Sequence, residues 1–402
     1  MRILYAVHGY RPAWRVGGPV HSVPAVAERL ARRGHEVTVV TAAWDLTEPL
    51  DVPTDKPVDV NGVSVHYFPT RTLAGGKPSP GKRDTFLFMP NLRPYLDGSM
   101  SKCDIAHAHL PFCYPTLALG RAAHRAGVPF CYHQRGVFAP ERLAWRSVRK
   151  RLWLQTIELP LCRKATCLFA LTPAEVESYR ALGLTNRIEL APNGVDLASL
   201  AKGVPPEWLA RLDGDVEILL FLGRIHPLKG VDALLDAFIL LAGARPRCHL
   251  VLAGPDEVGI VRELRTRAAN AGVLERLHTP GLVTGAAKAA LLARADLFVL
   301  PSSAEGFSMA ILEALAASTA VIASPACHFP ELEAEGAGLI AEPEGPALAE
   351  AAGRLLADQA MRRRMGEAGH RLVQQRYAWD SIVDRFEAIY MDVVAQHRRE
   401  AN

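Results

Sequence analysis

The chain has 402 residues, enough for two domains with sizeable cores, and its 49% hydrophobic and 22% charged residues are typical of a soluble globular protein. No apolar run approaches the roughly 18 residues of a membrane span, and a strand begins at once, so we expect neither a spanning helix nor a signal peptide. The seven cysteines are scattered without a Cys-x-x-Cys pair, which favours reduced thiols in a cytoplasmic protein over a disulfide framework or a zinc site.

The formal net charge of +4 is unevenly distributed along the chain. Residues 1–197 contain 25 Lys and Arg against 16 Asp and Glu, whereas the remaining residues contain 21 against 26. The basic first half points to an anionic partner for that part of the chain.

The chain opens with a predicted strand–helix–strand unit. Strands are expected at 3–7 and 37–41, and Gly17 and Gly18 precede a helix over 20–33. The unit lacks Gly-x-Gly-x-x-Gly and an acidic residue placed for a ribose, so an NAD site is disfavoured.

Residues 45–100 are rich in proline, glycine and charge, with a hairpin-like segment at 63–68. Residues 85–90 are too apolar for an ordinary loop. They are predicted to form either a buried helix or part of an acceptor-side surface.

Two histidines close the strand predicted at 104–109. His107 and His109 are two residues apart and share one face of the strand. We expect His107 to be buried, whereas His109 is nearer the strand end and is the better candidate for facing a ligand. A metal site would need further ligands, and none is apparent nearby, so no metal is expected.

The next strand begins at 128 and carries His133, with Arg135 and Gly136 in its exit loop. Arginine cannot shuttle protons but can hold a phosphate or a sugar hydroxyl. A purely structural role for His133 and Arg135 is the alternative.

Residues 141–164 form a predicted helical region with seven Lys and Arg against two Glu. Tryptophans 145 and 153 alternate with the cations. Such a helix can lie on an anionic membrane or an acceptor, or it can be a solvated helix with one core-facing stripe. The candidate contacts are Trp145, Arg146, Arg149, Lys150 and Trp153.

The second half alternates strands and helices, which predicts a parallel, doubly wound sheet. Strands are expected at 216–222, 249–254, 297–300 and 320–323, with helices at 231–242 and 257–271. The predicted division is a first domain over 1–197, a linker over 198–214, a second domain over 215–375 and a terminal helix over 376–402.

Arg224 and Lys229 lie between a strand and a helix, in the segment 223–230. Two fixed cations and free backbone N–H groups in that position suit a diphosphate. A surface turn with two solvated cations is the alternative.

Glu305 and Glu313 follow the strand at 297–300 through a loop that contains Gly306, Phe307 and Ser308. Glu305 is thus expected at the carboxyl end of a strand, where open α/β sheets bind ligands. Two carboxylates there suit sugar hydroxyls, although solvated acids at a helix start are the alternative.

The combination of Gly223, Arg224, Lys229 and Gly230 with the Glu305-x7-Glu313 pair and the stretch 193–196 resembles glycosyltransferase family 4 over nearly the whole chain. The resemblance implies the α/β GT-B fold, with two doubly wound Rossmann-like domains facing each other across a cleft. It also implies that the terminal helix returns to the first domain.

The resemblance also implies roles for individual residues. Arg224 and Lys229 would stabilise a leaving diphosphate without a metal. Glu313 would bind the ribose and Glu305 the transferred sugar, and Gly306, Phe307 and Ser308 would take part in donor binding. Gly17 and Gly18 resemble the family's glycine loop beside the donor phosphates. Many members have a histidine at the position of Arg135, and whether Arg135 or His133 takes over its role, beside His109, stays open.

The expected activity is that of a retaining, hexosyltransferase-type glycosyltransferase. It would move a sugar from a UDP- or GDP-linked donor to a glycan acceptor, lipid diphosphate-linked, in bacterial-type surface polysaccharide or glycolipid synthesis. We expect a cytoplasmic protein that attaches peripherally to the inner membrane face, uses no cofactor and binds no nucleic acid. The alternatives are a non-catalytic nucleotide-sugar-binding protein and a GT-B phosphorylase or epimerase.

Overall fold

The structure is a computed structural model that describes residues 1–72, 75–79, 86–140, 143, 148–200, 203–212 and 215–401. Its backbone contacts divide into two compact units, the first formed by Met1–Asn193 with Trp379–Asn402 and the second by Gly194–Ala378. Each unit is built on its own parallel sheet.

The strands alternate with helices in both units, and we number them in chain order. They are Arg2–Ala6 (β1), Glu36–Ala42 (β2), Trp44–Asp45 (β3), Glu48–Pro49 (β4), Val58–Val60 (β5), Val63–Phe68 (β6), Ile105–His109 (β7), Phe130–His133 (β8), Cys167–Ala170 (β9), Ile188–Leu190 (β10), Glu217–Leu222 (β11), Cys248–Ala253 (β12), Leu277–Gly281 (β13), Leu297–Leu300 (β14), Ala320–Ala323 (β15) and Gly338–Ile340 (β16).

The described helices are numbered in the same way. They are Pro19–Arg32 (α1), Leu92–Ser99 (α2), Tyr114–Ala126 (α3), Val148–Trp153 (α4), Leu159–Arg163 (α5), Pro173–Ala181 (α6), Leu197–Leu200 (α7), Glu207–Ala210 (α8), Val231–Ala242 (α9), Val261–Asn270 (α10), Gly285–Arg294 (α11), Met309–Ala316 (α12), Glu331–Ala334 (α13), Gly345–Ala357 (α14), Gln359–Arg376 (α15) and Trp379–Ala401 (α16). Among these residues, no helix is both long and apolar enough to cross a membrane.

The first unit contains an eight-stranded sheet in the order β10-β9-β8-β7-β1-β2-β6-β5. Every neighbouring pair is parallel except the β5–β6 hairpin at one edge. The strands β2, β6 and β5 lie on one side of β1, and β7, which follows them in the chain, lies on its other side. The topological switch point, where open α/β sheets bind ligands, therefore lies between β1 and β7.

The second unit contains six parallel strands in the order β13-β12-β11-β14-β15-β16. This is the strand order of a dinucleotide-binding Rossmann sheet, with its switch point between β11 and β14. The strands β11 and β14 are runs of apolar residues because helices cover both faces of the sheet. The predicted α/β class with two doubly wound sheets is confirmed.

The terminal helix α16 belongs to the first unit. Its apolar stripe, which includes Ile382, Phe386 and Tyr390, joins a core cluster with residues of β1, β2 and α1. Tyr390 also shares a buried hydrogen bond with Tyr5 of β1, at 2.7 Å between the hydroxyl oxygens. The first sheet thus depends on the last segment of the chain for part of its core.

The segment 198–214, predicted as a linker, contains α7 and α8 among its described residues. Leu200 and Leu209 belong to the core of the second unit. Because these leucines bury apolar surface in that core, the described part of this segment belongs to the second unit. The division between the units falls between Asn193 and Gly194, not at the predicted linker.

Residues 86–89 form no helix and Pro90 lies in a turn, so of the two alternatives for residues 85–90 the buried helix is wrong for the described part, and Thr85 lies outside it. Phe88 forms an isolated antiparallel bridge with Arg71, and Leu87 and Met89 point into the core. Alternation of buried and exposed side chains is the pattern of extended backbone, which a short apolar run does not distinguish from a helix.

Candidate functional site

In the second unit, the loops after β11 and β14 lie side by side because their strands are neighbours in the sheet. The first loop carries Arg224 and Lys229, and the second carries Glu305. These loops leave the carboxyl ends of the strands at the switch point, so the structure brings these three predicted site residues to one edge of the sheet.

Close backbone packing joins the two loops. Gly230 has a φ of +68°, and a Cβ atom there would overlap the carbonyl oxygen of Pro301. Ser302 Oγ and the Ser303 N–H each donate to the Leu228 carbonyl at 2.9 Å. Glycine at 230 is therefore required both by the left-handed backbone and by this approach.

The cations of the first loop are paired with carboxylates. Arg224 Nη1 lies 2.5 Å from Glu257 Oε2, with the Arg224 side chain 58% exposed. Lys229 Nζ donates to Glu305 Oε1, and the two side chains are only 15% and 11% exposed. Lys229 and Glu305 thus form a largely desolvated ion pair, in which the attraction between the two charges is stronger than it would be in water.

Helix α12 carries Glu313 and begins at the second loop. Ser308 caps this helix by accepting from the Ile311 N–H at 3.3 Å, and Gly306 and half-buried Phe307 lead into it. The first N–H groups of a helix lack intrahelical partners and favour anions or ligand oxygens. Glu313 Oε1 accepts from Lys288 Nζ of α11 at 2.7 Å, a pairing that the sequence did not predict.

In the first unit, His107 and His109 of β7 lie beside His133 of β8, because His109 and His133 are paired in register. All three side chains are at most 1% exposed. His107 is therefore buried, as expected; His109 is buried as well, and its role in facing a ligand stays a prediction. Burial, together with the nearby Arg135 charge, lowers the pKa of each histidine well below its usual value, so all three are neutral near pH 7.

These histidines correct the expectation that no third ligand lies near His107 and His109, because their ring nitrogens lie within 4.8 Å of one another. The ring centroids of His107 and His109 lie 4.2 Å apart with an interplanar angle of 28°, and Arg135 adds a positive charge beside the group. The absence of a metal ion from this group stays a prediction.

Arg135 connects the histidines to the start of α1. Its Nε donates to His109 Nδ1 at 3.4 Å, and its Nη1 donates to Ser22 Oγ at 2.9 Å and to Asn193 Oδ1 at 3.2 Å. Burial lowers the pKa of the guanidinium to about 10, so it remains charged at neutral pH. Its φ of +52° is a left-handed conformation that non-glycine residues adopt mainly where the surroundings enforce it.

Gly17 and Gly18 lie in the loop between β1 and α1, at the switch point of the first sheet. Gly17 has a φ of +94°, and a Cβ atom at either glycine would meet open space. The Gly18 carbonyl accepts from Ser22 Oγ at 3.2 Å, and the same hydroxyl accepts from Arg135. The glycine loop and Arg135 are therefore neighbours, as a shared site requires.

Only some of the residues predicted to contact an acceptor or a membrane are described by the structure. Trp145 and Arg146 lie outside the described residues, as does the side chain of Arg149, whereas Lys150 is exposed on α4. Trp153 is turned inward: its Nε1 donates to Glu158 at 2.9 Å, and its ring packs 4.7 Å from that of Phe86. A π-helical turn over Leu154–Glu158 follows α4 directly. Trp153 itself is half-buried, and its membrane-facing role stays a prediction.

The fold and the charged loops of the second unit define a glycosyltransferase of the GT-B type. The family model of group 1 glycosyl transferases matches residues 210–372, and that of glycosyltransferase family 4 matches residues 16–199. The D-inositol 3-phosphate glycosyltransferase of Xylanimonas cellulosilytica is 30% identical over 399 residues, covering 94% of this chain and 92% of that protein. The chain belongs to glycosyltransferase family 4, and its activity is of the hexosyltransferase type.

Two further similarities are more limited. The phosphatidyl-myo-inositol mannosyltransferase of Mycobacterium leprae is 33% identical over 217 residues, covering 53% of this chain and 55% of that protein. The structure of HepE from Anabaena in complex with UDP matches 98% of this chain and 100% of that chain, with a TM-score of 0.75 and 20% identity. At that identity the structural match shows the fold alone.

Proposed function

We propose that this enzyme transfers a sugar, with retention of anomeric configuration, from a UDP- or GDP-linked donor to a lipid diphosphate-linked glycan at the cytoplasmic membrane face. The product would contribute to a surface polysaccharide or glycolipid. The observation that carries the proposal is the set of Arg224, Lys229 and Glu305 at the switch point of the second sheet, in two loops held together by Gly230 and Leu228.

In the proposed reaction, the bond between the anomeric carbon and the diphosphate oxygen breaks, and its electron pair leaves with the nucleoside diphosphate. Arg224 and Lys229 stabilise the negative charge that develops there, so that no metal ion is required. The acceptor hydroxyl attacks the same face of the oxocarbenium-like centre and gives its proton to the leaving phosphate. This route retains configuration and needs no covalent nucleophile from the protein.

Donor binding would exchange partners within the site. Lys229 contacts Glu305 in this structure, and it would turn to the diphosphate when the donor binds. Glu305 would then be free to accept hydrogen bonds from the hydroxyls of the transferred sugar. The exchange keeps both groups paired in each state and avoids the cost of a buried, unpaired charge.

A membrane-bound acceptor is supported by the exposed face of α4. Val148 and Leu152 are 81% and 63% exposed and lie four residues apart, on one side of the helix. Lys150 and Arg151 are also exposed, and the first half of the chain is basic. Exposed apolar side chains beside cations suit an anionic bilayer surface. The name of the mycobacterial relative, a phosphatidyl-myo-inositol mannosyltransferase, is consistent with a lipid acceptor.

A thermal-shift screen against UDP- and GDP-linked sugars tests the donor, because a ligand that binds the folded state raises the melting temperature. The stabilising donor is then used in transfer assays with lipid diphosphate-linked glycans, and NMR of the product reports the anomeric configuration. We expect retention and full activity in EDTA. An inverted product, or activity that requires a divalent cation, would contradict the proposed mechanism. If the enzyme instead cleaved a glycan with free phosphate when no nucleotide sugar was supplied, it would be a phosphorylase.

A further inference from the structure

The ion pair between Lys288 and Glu313 connects two helices that flank β14. Lys288 lies on α11, which precedes this strand, and Glu313 lies on α12, which follows it. The Nζ–Oε1 distance is 2.7 Å, and the side chains are 25% and 16% exposed. Neither the sequence analysis nor the proposed reaction assigns a role to Lys288.

A carboxylate as enclosed as Glu313 needs a partner that offsets the cost of its desolvation and holds it in one orientation, because burying an unpaired charge is costly. Lys288 supplies that partner from a neighbouring helix. A carboxylate offers about four lone-pair sites, so a single ammonium contact on Oε1 leaves Oε2 and part of Oε1 available. Two adjacent hydroxyls of a ribose need two such acceptors.

We propose that Lys288 is a positioning residue that orients Glu313 to accept both ribose hydroxyls of the nucleotide. This inference rests on the proposed function, in which Glu313 binds the ribose. Lys288 acts through Glu313 and does not touch the nucleotide. Its removal therefore weakens binding only when the nucleotide carries the hydroxyls that Glu313 receives.

The test compares nucleoside diphosphates with and without those hydroxyls. Binding of UDP, GDP and their 2′,3′-dideoxy counterparts is measured by calorimetry for the full-length wild type, for Lys288→Met and for Lys288→Arg. Lys288→Met should weaken binding of the preferred ribonucleotide about tenfold, the scale of one hydrogen bond to a charged group. It should leave affinity for the dideoxy form unchanged, and Lys288→Arg should restore most of the ribonucleotide affinity.

Arg245→Met is the matched control. Arg245 and Glu217 form a pair with similar exposure, 24% and 23%, at the amino end of β11, opposite the charged loops. Breaking that pair should lower the melting temperature without changing nucleotide affinity.

The outcomes separate the two proposals. An equal loss for the ribonucleotide and the dideoxy form in Lys288→Met would overturn the positioning role and indicate direct contact with the phosphates. Unchanged ribonucleotide affinity in Lys288→Met would also overturn it. A wild type that binds neither UDP nor GDP would instead contradict the proposed function, and the inference would fall with it.

Discussion

At the scale of single residues, the charges of the second unit's site are already paired with one another. Arg224 contacts Glu257, Lys229 contacts Glu305, and Glu313 contacts Lys288. A substitution at any of these positions also leaves a partner unsatisfied. Stability and activity must therefore be measured together for every variant of this site.

Lys229→Ala should lower kcat/KM by roughly 10- to 100-fold, because a charge-assisted hydrogen bond contributes about 1.5–3 kcal/mol in the transition state. Lys229 is only 15% exposed, so it is not the surface lysine that its loop position indicates, and its loss also leaves Glu305 unpaired. We expect a lowered melting temperature but a folded protein. Arg245→Met is the control for the stability change alone. An unchanged kcat/KM would remove the argument that Lys229 stabilises the diphosphate.

Glu313→Ala and Glu305→Ala should affect different kinetic constants. Contacts to the ribose are alike in the ground state and the transition state, so Glu313→Ala should chiefly raise the donor KM. Contacts to the reacting sugar can strengthen in the transition state, so Glu305→Ala should chiefly lower kcat. Steady-state kinetics with varied donor concentration separates the two, and a reversed pattern would mean that the two roles are exchanged.

The positions of these residues could be predicted from the sequence, but their partners could not. Glu305 and Lys229 each follow an apolar run that predicts a buried strand, and the carboxyl ends of parallel strands meet at one edge of the sheet. Glu257 and Lys288 lie on segments with no such signal. Their pairing depends on how separate helices and loops pack, which the spacing along the chain does not encode.

At the scale of elements, helix α4 is the candidate membrane contact. Charge reversal at Arg146, Arg149 and Lys150 should abolish co-sedimentation with anionic liposomes, since each cation near an anionic leaflet contributes about 1 kcal/mol. Wild-type binding should fade at high salt, because exposed charges are screened within about 8 Å at physiological ionic strength.

The apolar part of that contact has its own variant, Val148→Ser with Leu152→Ser, which should weaken liposome binding while leaving its salt dependence in place. Substituting Trp153 would not be a clean test, because this residue packs on Phe86 and Glu158. If the wild type ignores anionic liposomes even at low salt, a soluble acceptor becomes the better proposal.

Because of the histidines of β7 and β8, we expect the first unit to lose stability at acidic pH. An unfolded histidine titrates near pH 6.5, and burial lowers the folded pKa of His107, His109 and His133, so the unfolded state binds more protons below that pH. Above about pH 6.5 these histidines should therefore not reduce the free energy of unfolding. Below that pH, the free energy of unfolding should fall as the pH drops toward the folded pKa values, by up to about 1.4 kcal/mol per pH unit for each histidine.

Melting temperatures measured from pH 7.5 to 5 check this slope. His133→Phe removes one buried site and should flatten the decline, whereas His124→Gln, at an exposed position of α3, should not change it. An identical decline in wild type and His133→Phe would show that other groups dominate the acid sensitivity.

At the scale of the whole molecule, the two units are not two consecutive halves of the chain, because α16 completes the first unit after the second has been built. A chain ending at Ala378 should lose the compact fold of the first unit, since Ile382, Phe386, Tyr390 and Val393 belong to its core. Limited proteolysis should then degrade Met1–Asn193 while Gly194–Ala378 persists. A chain ending at Ala395 retains those core residues and should resist proteolysis as the full chain does.

The sequence by itself determined the alternation of strands and helices, the doubly wound sheet of the second unit and the loops that carry Arg224, Lys229 and Glu305. These features follow from local patterns, namely apolar runs, helical spacing and glycines at strand ends, whereas a doubly wound sheet in the first unit was implied by the family resemblance. Only the tertiary structure decided that residues 198–214 pack on the second unit, that Trp153 turns inward, that His133 joins His107 and His109, and that Lys288 holds Glu313. Each of these depends on contacts between elements distant in the chain, where burial and charge pairing outweigh local propensity.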